Sequence, residues 1–68
     1  MTRDDVLMIL TINETLDAIG SPLPRDRRRI PAAVRAQMLA DGEIERSGAS
    51  RVRLTPRGKS AFIVENYT

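Results

Sequence analysis

The sequence contains no cysteine, no histidine and no tryptophan, and its only aromatic side chains are Phe62 and Tyr67. Without cysteine there is no disulfide framework, and without cysteine or histidine the common zinc ligands are missing, so a metal-stapled fold is not expected. The same absences leave no thiol nucleophile and no imidazole base. The carboxylates are scattered over surfaces read as helix and strand, so the chain reads as a non-enzyme with no cofactor. Two aromatics are too few for a platform on which single-stranded bases stack. Long apolar runs are also absent. The longest, Val6-Leu7-Met8-Ile9-Leu10, falls far short of the ~20 residues that a membrane span needs. Arg3 is followed at once by Asp4 and Asp5, which is not the form of a signal peptide. The expectation is a cytoplasmic protein without a membrane partner. At 68 residues there is room for one core, because so short a chain buries only about 60% of the surface it exposes when unfolded. Residues 1–68 therefore read as a single domain, held by packing alone or with a partner subunit.

What the sequence has in excess is arginine. The net charge is only +2, but it is unevenly placed. Residues 1–24 carry one base, Arg3, against the four acids Asp4, Asp5, Glu14 and Asp17. Residues 25–59 carry ten bases (Arg25, Arg27, Arg28, Arg29, Arg35, Arg46, Arg51, Arg53, Arg57 and Lys59) against the four acids Asp26, Asp41, Glu43 and Glu45. An acidic front and a basic body suggest that the second part faces a polyanion. A solvated charged surface on a small protein would look the same by charge alone. The guanidinium group suits bidentate contacts to phosphate or guanine better than an ammonium does.

Periodicity divides the chain into elements. From Thr2 to Gly20, apolar residues at Val6, Ile9, Leu10, Ile12, Leu16 and Ile19 follow the three-and-four spacing of a helical face. Thr2 is placed to cap this helix, Asp4 and Asp5 complement its dipole, and Gly20 ends it. Thr11 or Asn13 could instead cap a second short helix, so one long helix and two short ones are both open. Ser21-Pro22-Leu23-Pro24 is a connector, since each proline drives its predecessor away from helical geometry. Arg25 to Arg29 follows as a charged turn or short helix. Pro31 suits the first position of a helix running to Gly42, with Ile30, Val34 and Met38 as its apolar stripe, Ala33 and Leu39 beside them, and Arg35 and Gln37 nearer the flanks. After Gly42 the period becomes two, and Ser47-Gly48-Ala49-Ser50 supplies a turn, which predicts a hairpin with Ile44, Val52 and Leu54 on its buried face. Arg51 and Arg53 then lie on the open face, with Arg46 near the tip. Glu43 and Glu45 on the facing strand are placed to pair with these arginines. Thr55-Pro56 opens a last helix with Ala61, Phe62 and Val64 as its core candidates, while Met8 and Met38 read as core residues by their spacing. The fold class is α+β: one or two N-terminal helices, a further helix, a two-stranded hairpin and a C-terminal helix.

The stretch from Ile30 to Phe62 has a helix that ends in Asp41-Gly42-Glu43-Ile44-Glu45-Arg46. A short polar turn follows, and then Arg51-Val52-Arg53-Leu54-Thr55-Pro56-Arg57-Gly58-Lys59. It resembles the end of winged helix-turn-helix regulators such as the MarR family, in which a helix closed by glycine leads to a wing and a leucine-threonine-x-x-glycine close. The resemblance covers about half of the chain. It implies a recognition helix at Ile30 to Asp41 and a wing at Arg46 to Arg53. Recognition helices put their N-terminal side chains in the major groove, and basic wing residues reach phosphates or the minor groove. On that basis Arg28, Arg29, Ala32 and Arg35 are the candidate groove-facing residues, and Arg46, Arg51 and Arg53 are candidate phosphate contacts. Two features depart from the family. A long proline- and arginine-rich segment stands where a short turn belongs, and Ala32, Ala33 and Ala36 occupy a surface where sequence readers place hydrogen-bonding side chains. Binding mainly to the DNA backbone is the expectation from the second.

Arg25-Asp26-Arg27-Arg28-Arg29 is the sharpest functional signal, because guanidiniums just before a helix N-terminus oppose its dipole and call for another purpose. Phosphate contact supplies one, which adds Arg25 and Arg27 to the candidates. The function expected is a small DNA-binding protein, a transcriptional regulator that contacts duplex DNA as a two-fold homodimer built on the first or last helix. The alternative is a small inhibitor or adaptor of the kind mobile elements encode, which turns the same scaffold and basic face toward an acidic protein partner.

Overall fold

The computed structural model describes residues 1–67, with side chains described through Ile63. The elements run α1 (Arg3–Ala18), α2 (Ala32–Ala40), β1 (Ile44–Arg46), β2 (Val52–Leu54) and α3 (Pro56–Tyr67), an α+β arrangement of three helices and one antiparallel hairpin. None of these helices is long and apolar enough to cross a membrane.

The N-terminal segment is one helix, with no break near residues 11–13. Its start is a reciprocal capping box. The Asp5 amide donates to Thr2 Oγ1 at 3.3 Å and the Thr2 amide donates to Asp5 Oδ2 at 2.8 Å, which satisfies two amides that the helix itself leaves open. The bond from the Thr2 backbone holds the Asp5 carboxyl below its ordinary 3.8. A carboxyl lowered on folding stabilises the native state at neutral pH, and that contribution fades as pH falls below about 3.8. At the other end Ser21 donates to the Leu16 carbonyl at 2.9 Å and Gly20 to that of Asp17 at 3.2 Å, a Schellman closure.

The face that α1 buries differs in phase from the spacing in the sequence. Val6 and Leu7 are fully buried and join Met38, Ile44 and Leu54 in the core, with Leu10 packed at its margin. Ile9 is buried as well, whereas Met8, Ile12 and Ile19 are exposed at 42%, 49% and 70%. The reason is the run from Val6 to Leu10, which is apolar on every side of the helix and so allows more than one phase; packing selects the arc through Val6, Leu7 and Leu10. Each full burial of such a side chain contributes about 1.5–3 kcal/mol.

Helix α2 begins at Ala32 with Pro31 as its N-cap residue, one position later than the sequence pattern suggests. Met38 is fully buried, and Ile30, Val34 and Leu39 pack against the core, but Ala33 is exposed. The segment from Arg25 to Arg29 forms neither a turn nor a helix. Phe62 and Ala61 of α3 pack on the core, and Val64 lies outside the described side chains.

The hairpin register pairs Ile44 with Leu54, Glu45 with Arg53 and Arg46 with Val52. Ile44 and Leu54 face the core together, half-buried Val52 lies on the same face, and Arg53 looks outward, as the alternation predicts. Arg46, opposite Val52, begins on the core face and is exposed at the distal end.

The join between α2 and β1 is the tightest point. Gly42 has φ +75°, a left-handed conformation that side chains resist. It lets Gly42 and Glu43 donate to the carbonyls of Leu39 at 3.2 Å and Met38 at 3.0 Å, closing α2 as the strand begins. The Glu43 carbonyl then accepts from the Thr55 amide at 3.1 Å. Thr55 caps α3, its hydroxyl accepting from the Gly58 amide at 3.1 Å and donating to the Gly42 carbonyl. Gly58 lies so close that a Cβ placed on it would stand 2.0 Å from the Glu43 carbonyl oxygen. Gly58→Ala therefore forces backbone apart. The expected loss is at least about 3 kcal/mol, the upper end for overpacked sites, read as a fall in the urea midpoint; an unchanged midpoint would show that α3 docks differently.

Candidate nucleic-acid interface

Glu43 reaches back to the start of the chain. Its carboxylate, 5% exposed, pairs with the Arg3 guanidinium, which donates from Nε at 2.8 Å to Oε1 and from Nη2 to Oε2. Glu43 was expected to face the hairpin arginines. It cannot, because it precedes β1 and turns inward against α1. Removing Arg3 takes this partner from the buried Glu43 carboxylate, at a cost below the about 3–5 kcal/mol of a fully buried pair because the Arg3 side chain is itself 37% exposed.

The other expected partner is in place. Arg53 Nε donates to Glu45 Oε1 at 2.6 Å across the hairpin, with both side chains largely exposed. Exposed pairs of this sort contribute up to about 1 kcal/mol and are screened by salt.

The connector is laid against α1 by side chains that mimic backbone. Asn13 Nδ2 donates to the Asp26 carbonyl at 2.7 Å and Asn13 Oδ1 accepts from the Asp26 amide at 3.0 Å, so one amide satisfies both backbone groups of a residue outside any sheet. Asn13 is thus used as a clamp and does not cap a second helix. Arg25 donates to Asp17 Oδ1 at 2.7 Å, to the Ser21 carbonyl at 3.1 Å and to the Leu23 carbonyl. Glu14 from α1 accepts from the Leu54 amide at 2.9 Å, capping an outward-facing donor of β2. Arg28 closes on Asp26, donating from Nη2 at 2.8 Å and from Nε, while its amide also bonds the carboxylate. The Arg28 side-chain bond holds the Asp26 carboxyl below its ordinary range, and the same bond raises Arg28, to which Asp5 adds at longer range.

The nine residues singled out in the sequence therefore fall into two groups. Arg25, Arg28 and Arg53 already hold carboxylates, Arg25 with its side chain only 20% exposed. Arg27, Arg29, Arg46 and Arg51 are exposed and make no ion pair or side-chain hydrogen bond among the described residues, and Ala32 is an exposed residue of the first turn of α2. Arg35 is half-buried on the flank of α2 and likewise unpaired. Arg27 and Arg29 lead into the N-terminus of α2, and Arg46 and Arg51 belong to the hairpin that leaves its C-terminus. Nine residues of helix span about 14 Å; Arg27 and Arg29 precede its first residue in the chain, the hairpin carrying Arg46 and Arg51 follows its last, and its own exposed arc is uncharged. Arg57 and Lys59, in the first turn of α3, are also exposed and unpaired among the described residues. Local pattern does not mark either as a contact, because Thr55 to Gly58 is accounted for as a helix start.

A shallow, open depression of about 250 Å³ lies where α1 meets α2, lined by Arg3, Ala33, Val34, Gln37 and Met38. It is below the size of usual small-molecule sites. Among the described residues no group of three or more acidic, histidine or cysteine side chains could hold a metal ion. The chain matches no known protein family, no curated protein and no solved structure.

If Asn13 holds the connector, Asn13→Ala releases both backbone groups of Asp26. Trypsin is then expected to cut within Arg25 to Arg29 several-fold faster than in the wild type at equal global stability. Equal cleavage rates would mean that the clamp does not restrain the segment.

Proposed function

We propose that this chain is a small DNA-binding protein with the arrangement of a winged helix, in which α2 approaches the major groove, the hairpin is the wing, and the role is transcriptional regulation. The observation that carries the reading is the set of exposed arginines that flank α2 in the chain and have no partner among the described residues, Arg27 and Arg29 before it and Arg46 and Arg51 in the hairpin after it. A helix with an uncharged outer arc, entered from a basic segment and followed by a basic hairpin, suits a groove between two phosphate backbones. The order helix, Gly42, hairpin, Thr55-Pro56-Arg57-Gly58 supports the same reading, and the glycine has a steric reason in the nearby Glu43 carbonyl. Exposed Met8 and Ile12 on α1 offer apolar surface for a two-fold dimer, which palindromic half-sites favour.

The test is the affinity for random-sequence duplex DNA across a salt series. Each phosphate contact contributes about 0.9 to the slope of log affinity against log salt. Replacing Arg27, Arg29, Arg46 and Arg51 together by alanine is expected to make the slope shallower by about 3 to 4. Arg28→Ala and Arg53→Ala have smaller effects, because those side chains must first leave Asp26 and Glu45. Conversely, Glu45→Gln frees Arg53 and steepens the slope by about one. Absence of binding at low salt by the folded protein would overturn the reading in favour of an acidic protein partner for the same face.

A further inference from the structure

We infer that Gln37 is the residue through which α2 reads base sequence, by a two-point contact with the edge of an adenine, and that Asp41 positions it; this rests on the DNA-binding reading above. Arg35 and Gln37 stand at the two margins of the exposed arc formed by Ala32, Ala33, Ala36 and Ala40. The alanines offer no side-chain hydrogen bond. Arg35 is half-buried, and a cation at the margin of a groove is satisfied by phosphate, which carries no sequence information.

Gln37 differs in being exposed and already oriented. Its Nε2 donates to Asp41 Oδ1, one turn later, at 3.0 Å. An ionised carboxylate only accepts, so the nitrogen of the carboxamide is the atom turned toward Asp41, and the carbonyl is turned away. The bond uses one of the two amide hydrogens. The second hydrogen and Oε1 are left, and these are the donor and acceptor that adenine N7 and its N6 amino group require in the major groove. A glutamine free in solvent loses rotamer entropy when it docks, whereas one restrained by Asp41 has lost part of it beforehand. The alanines have a second use here. Side chains this short let the helix backbone come close to the base edges, and their methyl groups make apolar contact with thymine methyls. The ligand is thus duplex DNA carrying an A·T pair at one fixed position, with further thymine beside it.

The experiment selects bound duplexes from a randomised pool with the full chain. Affinities for selected and random duplexes are then compared at one salt concentration for the wild type, Gln37→Ala and Asp41→Ala. The wild type is expected to select an A·T pair at a fixed position. Gln37→Ala, at an exposed site, keeps its fold and its affinity for random duplex while its preference for the selected duplex falls by about fivefold to a hundredfold. Asp41→Ala raises affinity for both duplexes by removing a nearby negative charge, yet its preference also falls, which a merely electrostatic role would not produce. A wild type that binds random duplex and selects nothing overturns the inference and leaves the DNA-binding reading standing. So does a preference that survives in Gln37→Ala. No binding to any duplex at low salt overturns both.

Discussion

Glu43 is held from three directions, and the relative placement of every element depends on it. Its amide closes α2 onto the Met38 carbonyl, its own carbonyl receives the Thr55 amide at the end of β2, and its carboxylate holds Arg3 at the start of α1. Gly58 of α3 approaches the same carbonyl more closely than any side chain would permit. A small core with Val6, Leu7, Met38, Ile44 and Leu54 at its centre is non-directional, since hydrophobic burial alone does not fix the angle at which a hairpin leaves a helix. The directional bonds around Glu43 supply that angle, and a 68-residue chain without cysteine or histidine has few other means to do so.

The same economy governs the arginines. A basic segment before a helix N-terminus is unfavourable for the helix, and this chain offsets part of that cost internally. Asp17 takes Arg25, Asp26 takes Arg28, and Glu45 takes Arg53. Arg27, Arg29, Arg46 and Arg51 have no carboxylate partner among the described residues, and on the proposed function they are the ones that would meet an external anion. Counting bases in a sequence therefore overstates the charge left unpaired at the surface, because part of it is already matched by carboxylates of the same chain.

Local rules made several features legible in the sequence. The Thr2 cap, the glycine at the end of α2, the turn at Ser47 to Ser50, the strand alternation and the Thr55 cap all depend on residues within a few positions of each other, and each lies where such rules put it. The phase of α1 was not legible, because five successive apolar residues satisfy more than one helical face. Also hidden were the long-range roles of Asn13, Glu14, Arg3 and Glu43. Their partners lie 13 or 40 positions away, and nothing in local periodicity marks a polar side chain that will be buried against a distant backbone group. For the candidate interface, the cations were visible and their pairing only partly so. The cross-strand Glu45 was anticipated because hairpin register is local, whereas the inward turn of Glu43 depended on where α1 packs.

With so many elements tied to it, the Glu43 junction is the last part of the fold to open. Native-state hydrogen exchange reads this out by comparing the amides of Glu43 and Thr55 with those of mid-α1 residues such as Leu10 as urea is raised. Exchange of Glu43 and Thr55 only through global unfolding, with the free energy of the whole domain, is the predicted result. Exchange of these two amides by a local opening while α1 stays protected would show that the junction does not hold the elements together.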